Sequence, residues 1–173
     1  LSWLLILGAL MAFAPMAIDL YLPGLPAIAA EFRADPSTVQ FTLASFFVGM
    51  ALGQVIHGPL ADRYGRKPPL YAGLALFVRA SLGCALAANI TTLILLRFAQ
   101  AVSGCAGVVI ARAVVRDRCD AHTSAKVYSL LMLVMGLAPI LAPFLGGWIL
   151  LVTGWRAIFL ALALFGLACL VGV

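Results

Sequence analysis

Polar surface is what this chain of 173 residues has least of. Asp, Glu, Lys and Arg make up 10% of it, and only 6 residues are acidic. Soluble domains carry about 25% charged residues, and so few cannot coat a water-soluble globule of this size. Residues of the AVILMFWYC class fill 65% of the sequence, and mean hydropathy is +1.15. That balance excludes a soluble enzyme, a disordered chain and a secreted disulfide scaffold. The chain reads as a membrane protein.

Other absences narrow the field further. Cys84, Cys105, Cys119 and Cys169 include no CxxC pair, and no His stands at metal-ligand spacing from them. Small buried hydrophobes are the expected role for these cysteines, and no metal or cofactor is expected. An intramembrane enzyme would need a nucleophile–base pair or metal ligands at membrane depth, and the two histidines, His57 and His122, lie at run ends without such a partner. The 11 Lys and Arg residues are spread between apolar runs, so a nucleic-acid partner is not expected. The first apolar run has no basic n-region and no A-x-A-like site, and it carries Asp19, which argues against a signal peptide. Beginning at Leu1 and ending inside an apolar run, the sequence is expected to be part of something longer.

What is present is a series of charge-poor runs of about 20 residues, the length that crosses a bilayer. Six occur, near 3–22, 37–59, 69–88, 92–115, 127–152 and 156–173. Helices are expected, because in lipid each segment must satisfy its own backbone hydrogen bonds. The fold class expected is therefore all-α integral membrane, one six-helix bundle over 1–173. The connections after runs two and four hold six Lys or Arg residues, and those after runs one, three and five hold two. This asymmetry predicts a cytoplasmic N-terminus. Leu70–Phe77 (LYAGLALF) and Ile158–Phe165 (IFLALALF) match, and each follows a Gly and basic residues. Such a match suggests a three-plus-three repeat of the kind transporters use.

The densest motif is Gly58-Pro-Leu-Ala-Asp62-Arg63-Tyr-Gly65-Arg66-Lys67, between runs two and three. Topology alone would explain its basic residues but not Asp62, which implies a specific partner. Its pattern, G-x3-D-R-x-G-R-K, resembles the loop signature of the major facilitator superfamily. Arg97-Phe-Ala-Gln100 is similar to that superfamily's R-x-x-Q motif, and Pro143-Phe-Leu-Gly146-Gly147 resembles the P-x-x-G-G core of its antiporter motif. Ser129, Ala138 and Ala142 depart from the fuller antiporter pattern, which has Gly at those positions. Asp19-Leu-Tyr-Leu-Pro23 and Ala111-Arg112-Ala-Val-Val-Arg116-Asp117 look like the Bcr/CflA drug-resistance group.

This resemblance implies the N-terminal half of a twelve-helix carrier that exports lipophilic drugs such as bicyclomycin or chloramphenicol from bacteria. A proton gradient across the inner membrane would drive the export. The partners implied are the lipid bilayer, the drug, protons and a second six-helix half. The resemblance also pairs Arg66 with Asp117 and sets Asp62 against the partner half, as a latch that breaks when the carrier changes state. A metabolite carrier, for a sugar or an amino acid, is the alternative. Polar cargo needs several hydrogen-bonding residues near the midplane, and the first three runs offer few beyond Asp19, Ser45 and Gln54.

The residues themselves support particular roles. Asp19 is an acidic group in an otherwise apolar run, which makes it a candidate proton-coupling site. Arg97 and Arg112 are fifteen residues apart, leaving about 60° between them around a helix. Gln100, Gly104, Gly107 and Ala111 share that side. An interior coupling role is expected for Arg97; for Arg112 an interior role and snorkelling to the interface both stand. Arg79 falls in mid-run and is expected to face protein, water or a carboxylate. Met16, Tyr21, Phe46, Phe47, Gln100, Met132 and Met135 are candidate cavity residues for lipophilic cargo, although core packing would use the same side chains.

Overall fold

The computed structural model describes residues 2–173 and is helical almost throughout. Its elements are α1 (Ser2–Asp19), a 3₁₀ turn (Leu22–Gly24), α2 (Leu25–Phe32), α3 (Pro36–Tyr64), α4 (Lys67–Ala85), α5 (Ile90–Arg118), α6 (Ala121–Thr153) and α7 (Trp155–Gly172). No strand occurs among the described residues. Among the described residues five segments are long and apolar enough to cross a membrane, the first being Trp3–Phe32, and α4, which carries Arg79, is a further helical span.

Each boundary has a local cause. Span one is interrupted where Pro23 and Pro26 remove two backbone donors, so it consists of α1, the 3₁₀ turn and α2. Pro36 opens α3, where its fixed φ and missing N–H cost nothing. The Asn89 side chain caps α5 by accepting from the Thr92 amide at 2.8 Å. Gly65 (φ 83°) ends α3 and Gly154 (φ 92°) ends α6, both in a left-handed conformation that disfavours side chains.

The helices extend beyond the runs read from hydropathy. The segment α3 reaches Tyr64 rather than 59, and α5 reaches Arg118 rather than 115. Asp62, Arg63, Arg116 and Asp117 are therefore helical rather than loop residues. Apolar runs mark the width of the bilayer, whereas a helix continues into the headgroup region with no loss of hydrogen bonds. Connections shrink to two residues between α3 and α4 and one between α6 and α7.

Such short links make consecutive spans antiparallel. Three spans form each repeat (α1/α2, α3, α4, then α5, α6, α7), and three is odd, so the second repeat runs inverted relative to the first. Small residues allow close contact between the two. On α3, Gly49 faces the Phe98 carbonyl and Gly53 faces Val102 and Cys105 of α5; a Cβ added at Gly49 would lie 2.6 Å from that carbonyl oxygen. On α6, Ala138, Ala142 and Gly146 are buried, and a Cβ on Gly146 would collide with the Leu20 carbonyl at the end of α1. Between the central helices, Phe13 meets Phe77 edge-on at 4.7 Å and Phe165 at 4.9 Å. The outer sides of α3 and α6 stay apolar and exposed, with Val55, Phe144, Trp148 and Leu151 among the exposed residues.

One expected result arises from this packing. Gly146→Ala should lower stability by about 1–3 kcal/mol, the usual cost of overpacking, because the collision is with backbone. Gly147→Ala should cost far less, since nothing lies within 4 Å of a Cβ there. Thermal melts of the two variants check this, and equal losses would contradict it.

Candidate functional site

The break in span one brings side chains from four helices around Arg97. Arg97 is the eighth residue of α5, about 10 Å along that helix, and it is completely buried. Its guanidinium carbon lies 4.5 Å from the Tyr21 ring centroid, 4.2 Å from Phe46 and 5.7 Å from Phe159. Nη1 donates to Gln100 Oε1 at 2.7 Å, Gln100 Nε2 donates to Ser81 Oγ at 2.7 Å, and Ser81 donates to the Phe77 carbonyl at 2.8 Å. Beside this chain the Tyr21 and Thr42 hydroxyls share a hydrogen bond of 2.6 Å. Arg97 Nε and Nη2 have no partner, and no carboxylate pairs with Arg97 among the described residues. Aromatic faces therefore stabilise a buried cation in place of an anion, each contributing about 2 kcal/mol when desolvated.

Asp19 is the last residue of α1, two positions before Tyr21 and only partly buried. It forms no hydrogen bond or ion pair among the described residues, and neither Arg97 nor Arg112 is its partner. Unpaired carbonyls at a helix C-terminus repel negative charge, so this carboxylate sits in a setting that favours neither a fixed charge nor a fixed partner.

Arg112 lies fifteen residues further along α5, near its other end, and is exposed. Two openings meet there. A largely apolar cavity of about 90 Å³ reaches inward from Arg112 and Gln54 past Met50, Cys105 and Met135 to Phe46 and Phe77. A wider cleft of about 320 Å³ runs from Gln54 and Arg112 to Asp62, Arg66, Arg116 and Tyr128. Of the candidate cavity residues, Phe46 and Met135 line the smaller cavity, whereas Tyr21 and Gln100 are buried in the Arg97 cluster. Met16 is half-buried against the core, and Phe47 and Met132 point outward.

At the basic end, Arg66 joins three helices. Its Nε donates to Asp117 Oδ2 at 2.9 Å and its Nη1 to Asp62 Oδ1 at 2.7 Å. Hydrogen bonds to Asp62 and then Asp117 push the Arg66 pKa above its already high ordinary value, so Arg66 stays charged throughout the physiological range. Arg63 stacks over Tyr64 at 5.3 Å, and Lys67 begins α4. Gly65 supplies the positive-φ turn that aims Arg66 back at Asp117, while a Cβ on Gly58 would meet nothing within 4 Å. Pro143 lies one turn before Gly146 on α6.

Some placements were not visible in the sequence. Ser81, Thr42 and Phe159 complete the Arg97 cluster, and only their small size or ring marked them. At the end opposite Arg66, Glu31 accepts from Trp155 and Arg156, and these residues carried no motif. His57 is buried, with Nε2 2.9 Å from the Val102 carbonyl oxygen. Arg79 lies on the exposed outer face of α4 beside Leu76 and Leu82, with no carboxylate paired to it among the described residues, so of the surroundings expected for it (protein, water or a carboxylate) this half supplies neither a protein cover nor a carboxylate. The periodicity explains this, since 76, 79 and 82 share the face that no other helix covers.

Comparison with known proteins agrees with this architecture. An uncharacterized MFS-type transporter, YdgK of Bacillus subtilis (strain 168), is 44% identical over 163 residues, 93% of this chain and 40% of its own length. The multidrug resistance protein MdtL of Escherichia coli O9:H4 (strain HS) is 40% identical over 162 residues, 94% of this chain and 41% of its own. The chain thus spans about two-fifths of these relatives. A crystal structure of a D-xylose-proton symporter superposes with a TM-score of 0.79 at 18% identity, covering 99% of this chain and 46% of that one. A second, the proton:xylose symporter XylE bound to 6-bromo-6-deoxy-D-glucose, gives 0.81 at 17% identity over 98% of this chain and 42% of that one. At these identities the superpositions establish the fold alone. The family model described as Major Facilitator Superfamily matches residues 5–173, and with the inverted six-helix bundle it places this chain in that superfamily.

Proposed function

We propose that this chain is the N-terminal half of a Bcr/CflA-type, proton-coupled exporter of lipophilic drugs in a bacterial inner membrane. The observation that carries the reading is the 40% identity to a protein named for multidrug resistance along nearly all of this chain. The apolar cavity supports lipophilic cargo, because its polar groups stand at the mouth, Gln54 and Arg112, and its depth is aromatic and aliphatic. A sugar carrier would need hydrogen-bonding groups at that depth.

In this reading the basic end faces the cytoplasm, as the Lys and Arg asymmetry suggests. Asp19 takes up a proton from outside and releases it inside as the two halves rock about the cavity. Arg97 and Arg112 supply fixed positive charge at two depths, so proton and drug influence each other through the cavity field, and linkage makes that influence reciprocal. Arg66 holds Asp117 and Asp62 while the basic end is closed, and the exposed faces of α3 and α6 meet the second six-helix half. Pro143 and Gly146 keep α6 close to span one during the motion, and Gly147, about 100° further round the helix, faces open space.

Drug accumulation in cells tests the reading. Cells producing the full-length carrier should accumulate less of several lipophilic drugs than control cells, and an uncoupler should erase the difference. Equal accumulation across the panel, with a metabolite exported instead, would replace this reading by the metabolite carrier.

A further inference from the structure

The end of the bundle opposite Arg66 carries a second charged cluster that no motif accounts for. Glu31 accepts a hydrogen bond on each of its oxygens. Its Oε2 accepts from Trp155 Nε1 at 2.6 Å and its Oε1 from Arg156 Nη2 at 2.7 Å. Arg156 also holds the frayed end of α4, donating to the carbonyls of Ala85 at 2.6 Å and Ala87 at 3.1 Å. The guanidinium stacks on Trp155 at 4.5 Å, and Trp155 meets Phe32 edge-on at 5.7 Å. One cluster therefore ties α2, α4 and α7 together.

Its parts correspond to those of the Arg66 network through the inverted repeat. Asp117 is the next-to-last residue of α5, and Glu31 is the next-to-last residue of α2. Arg66 follows Gly65, at φ 83° and ψ 173°; Arg156 follows Gly154 by two residues, at φ 92° and ψ 173°. In both cases a left-handed Gly turns the chain so that an Arg of one repeat reaches the carboxylate ending the first span of the other. A pseudo-two-fold axis in the membrane plane carries one cluster to the opposite end of the bundle. The chemistry differs in one respect. Asp62 gives Arg66 a second carboxylate, whereas Arg156 spends its remaining donors on carbonyls and leaves the second Glu31 oxygen to an indole.

We propose that Glu31, Trp155 and Arg156 form a second conformational latch, the inverted-repeat counterpart of Asp62–Arg66–Asp117, which favours closure of the end opposite the basic one. The proposal rests on the carrier reading above. Alternating access opens one end as the other closes, so a contact favouring closure at one end favours opening at the other. Loosening the two clusters must then shift the same equilibrium in opposite directions. A purely structural staple would alter melting and leave that equilibrium in place.

The test uses the full-length carrier in membrane vesicles, with its native cysteines replaced and single reporters Gln40→Cys or Tyr64→Cys on the two exposed ends of α3. Glu31→Gln should raise labelling at position 40 and lower it at position 64, by about two- to fivefold, the range of a partly exposed ion pair. Trp155→Phe, which removes one donor and keeps the ring, should shift both in the same direction by less. Arg66→Gln should do the reverse. Glu31→Gln that lowers the melting temperature without moving either reporter, or moves them as Arg66→Gln does, overturns the latch. Wild-type reporters that do not respond to drug would overturn the carrier reading and the latch with it, whereas responsive reporters indifferent to Glu31→Gln would overturn the latch alone.

Discussion

Asp19→Asn in the full-length carrier is expected to abolish drug-dependent proton movement in vesicles while the protein still folds and inserts. The substitution keeps shape and size and removes the only carboxylate of α1. Folding survives because the carboxylate has no ion pair or hydrogen bond to lose among the described residues, and it stands at a helix end rather than in the packed centre. Most buried acids in membrane bundles are paired, so this absence separates the two possible roles. A structural Asp would be held, and Asn would then loosen the break after α1. A coupling Asp is free to exchange its proton, and Asn would leave the melt unchanged. Drug-evoked pH changes recorded beside thermal melts check both halves. Coupling that persists in Asp19→Asn would contradict the assignment.

Arg97→Met is expected to give an equally large loss of transport with little change in stability. Met fills a similar elongated volume between the Tyr21, Phe46 and Phe159 rings. Removing the guanidinium forfeits cation–π attraction of about 2 kcal/mol and leaves the Gln100 carbonyl oxygen unpaired, at about 1–3 kcal/mol. Against this, the variant no longer buries a charge, or the two N–H groups that have no partner, and the usual penalty for such groups is of the same size. These terms oppose one another, so the melting temperature should move by only a few degrees. Transport should fall to background, because no other Lys or Arg among the described residues is buried. Normal transport in Arg97→Met would show that the cluster is packing alone. A collapsed melt would show that Arg97 is needed to hold the break in span one against α3 and α7.

These two sites were not equally legible. Charge scarcity and run length revealed the six spans, and the ten residues from Gly58 to Lys67 revealed the turn, because acidic residues and glycines are conspicuous against an apolar background. Arg97 was legible for the same reason, and Gln100 one turn on indicated an inward face. The aromatic cluster was not. Tyr21, Phe46 and Phe159 lie in three different spans, and side-chain direction on an apolar helix leaves no periodic trace when both faces are apolar. The same uniformity hid the outward aim of Phe47 and Met132 and the exposed face that carries Arg79. Helix ends were shortened in the reading for a different reason, since Asp62 and Asp117 are polar yet helical. The Glu31 cluster joins residues 124 and 125 positions apart, a separation that only the closed bundle brings together. The repeat had a trace in sequence, and the paired left-handed glycines Gly65 and Gly154 give that trace its structural meaning.

The central claim is that drug and protons move in exchange, and purified full-length carrier in liposomes tests it most directly. With a pH-sensitive dye inside and no pre-imposed gradient, adding a lipophilic drug should move protons across the bilayer in the opposite direction to the drug. An imposed pH gradient should in turn drive the drug uphill. Drug movement with no accompanying proton flux, or proton flux evoked by a sugar and not by any drug, would contradict the account.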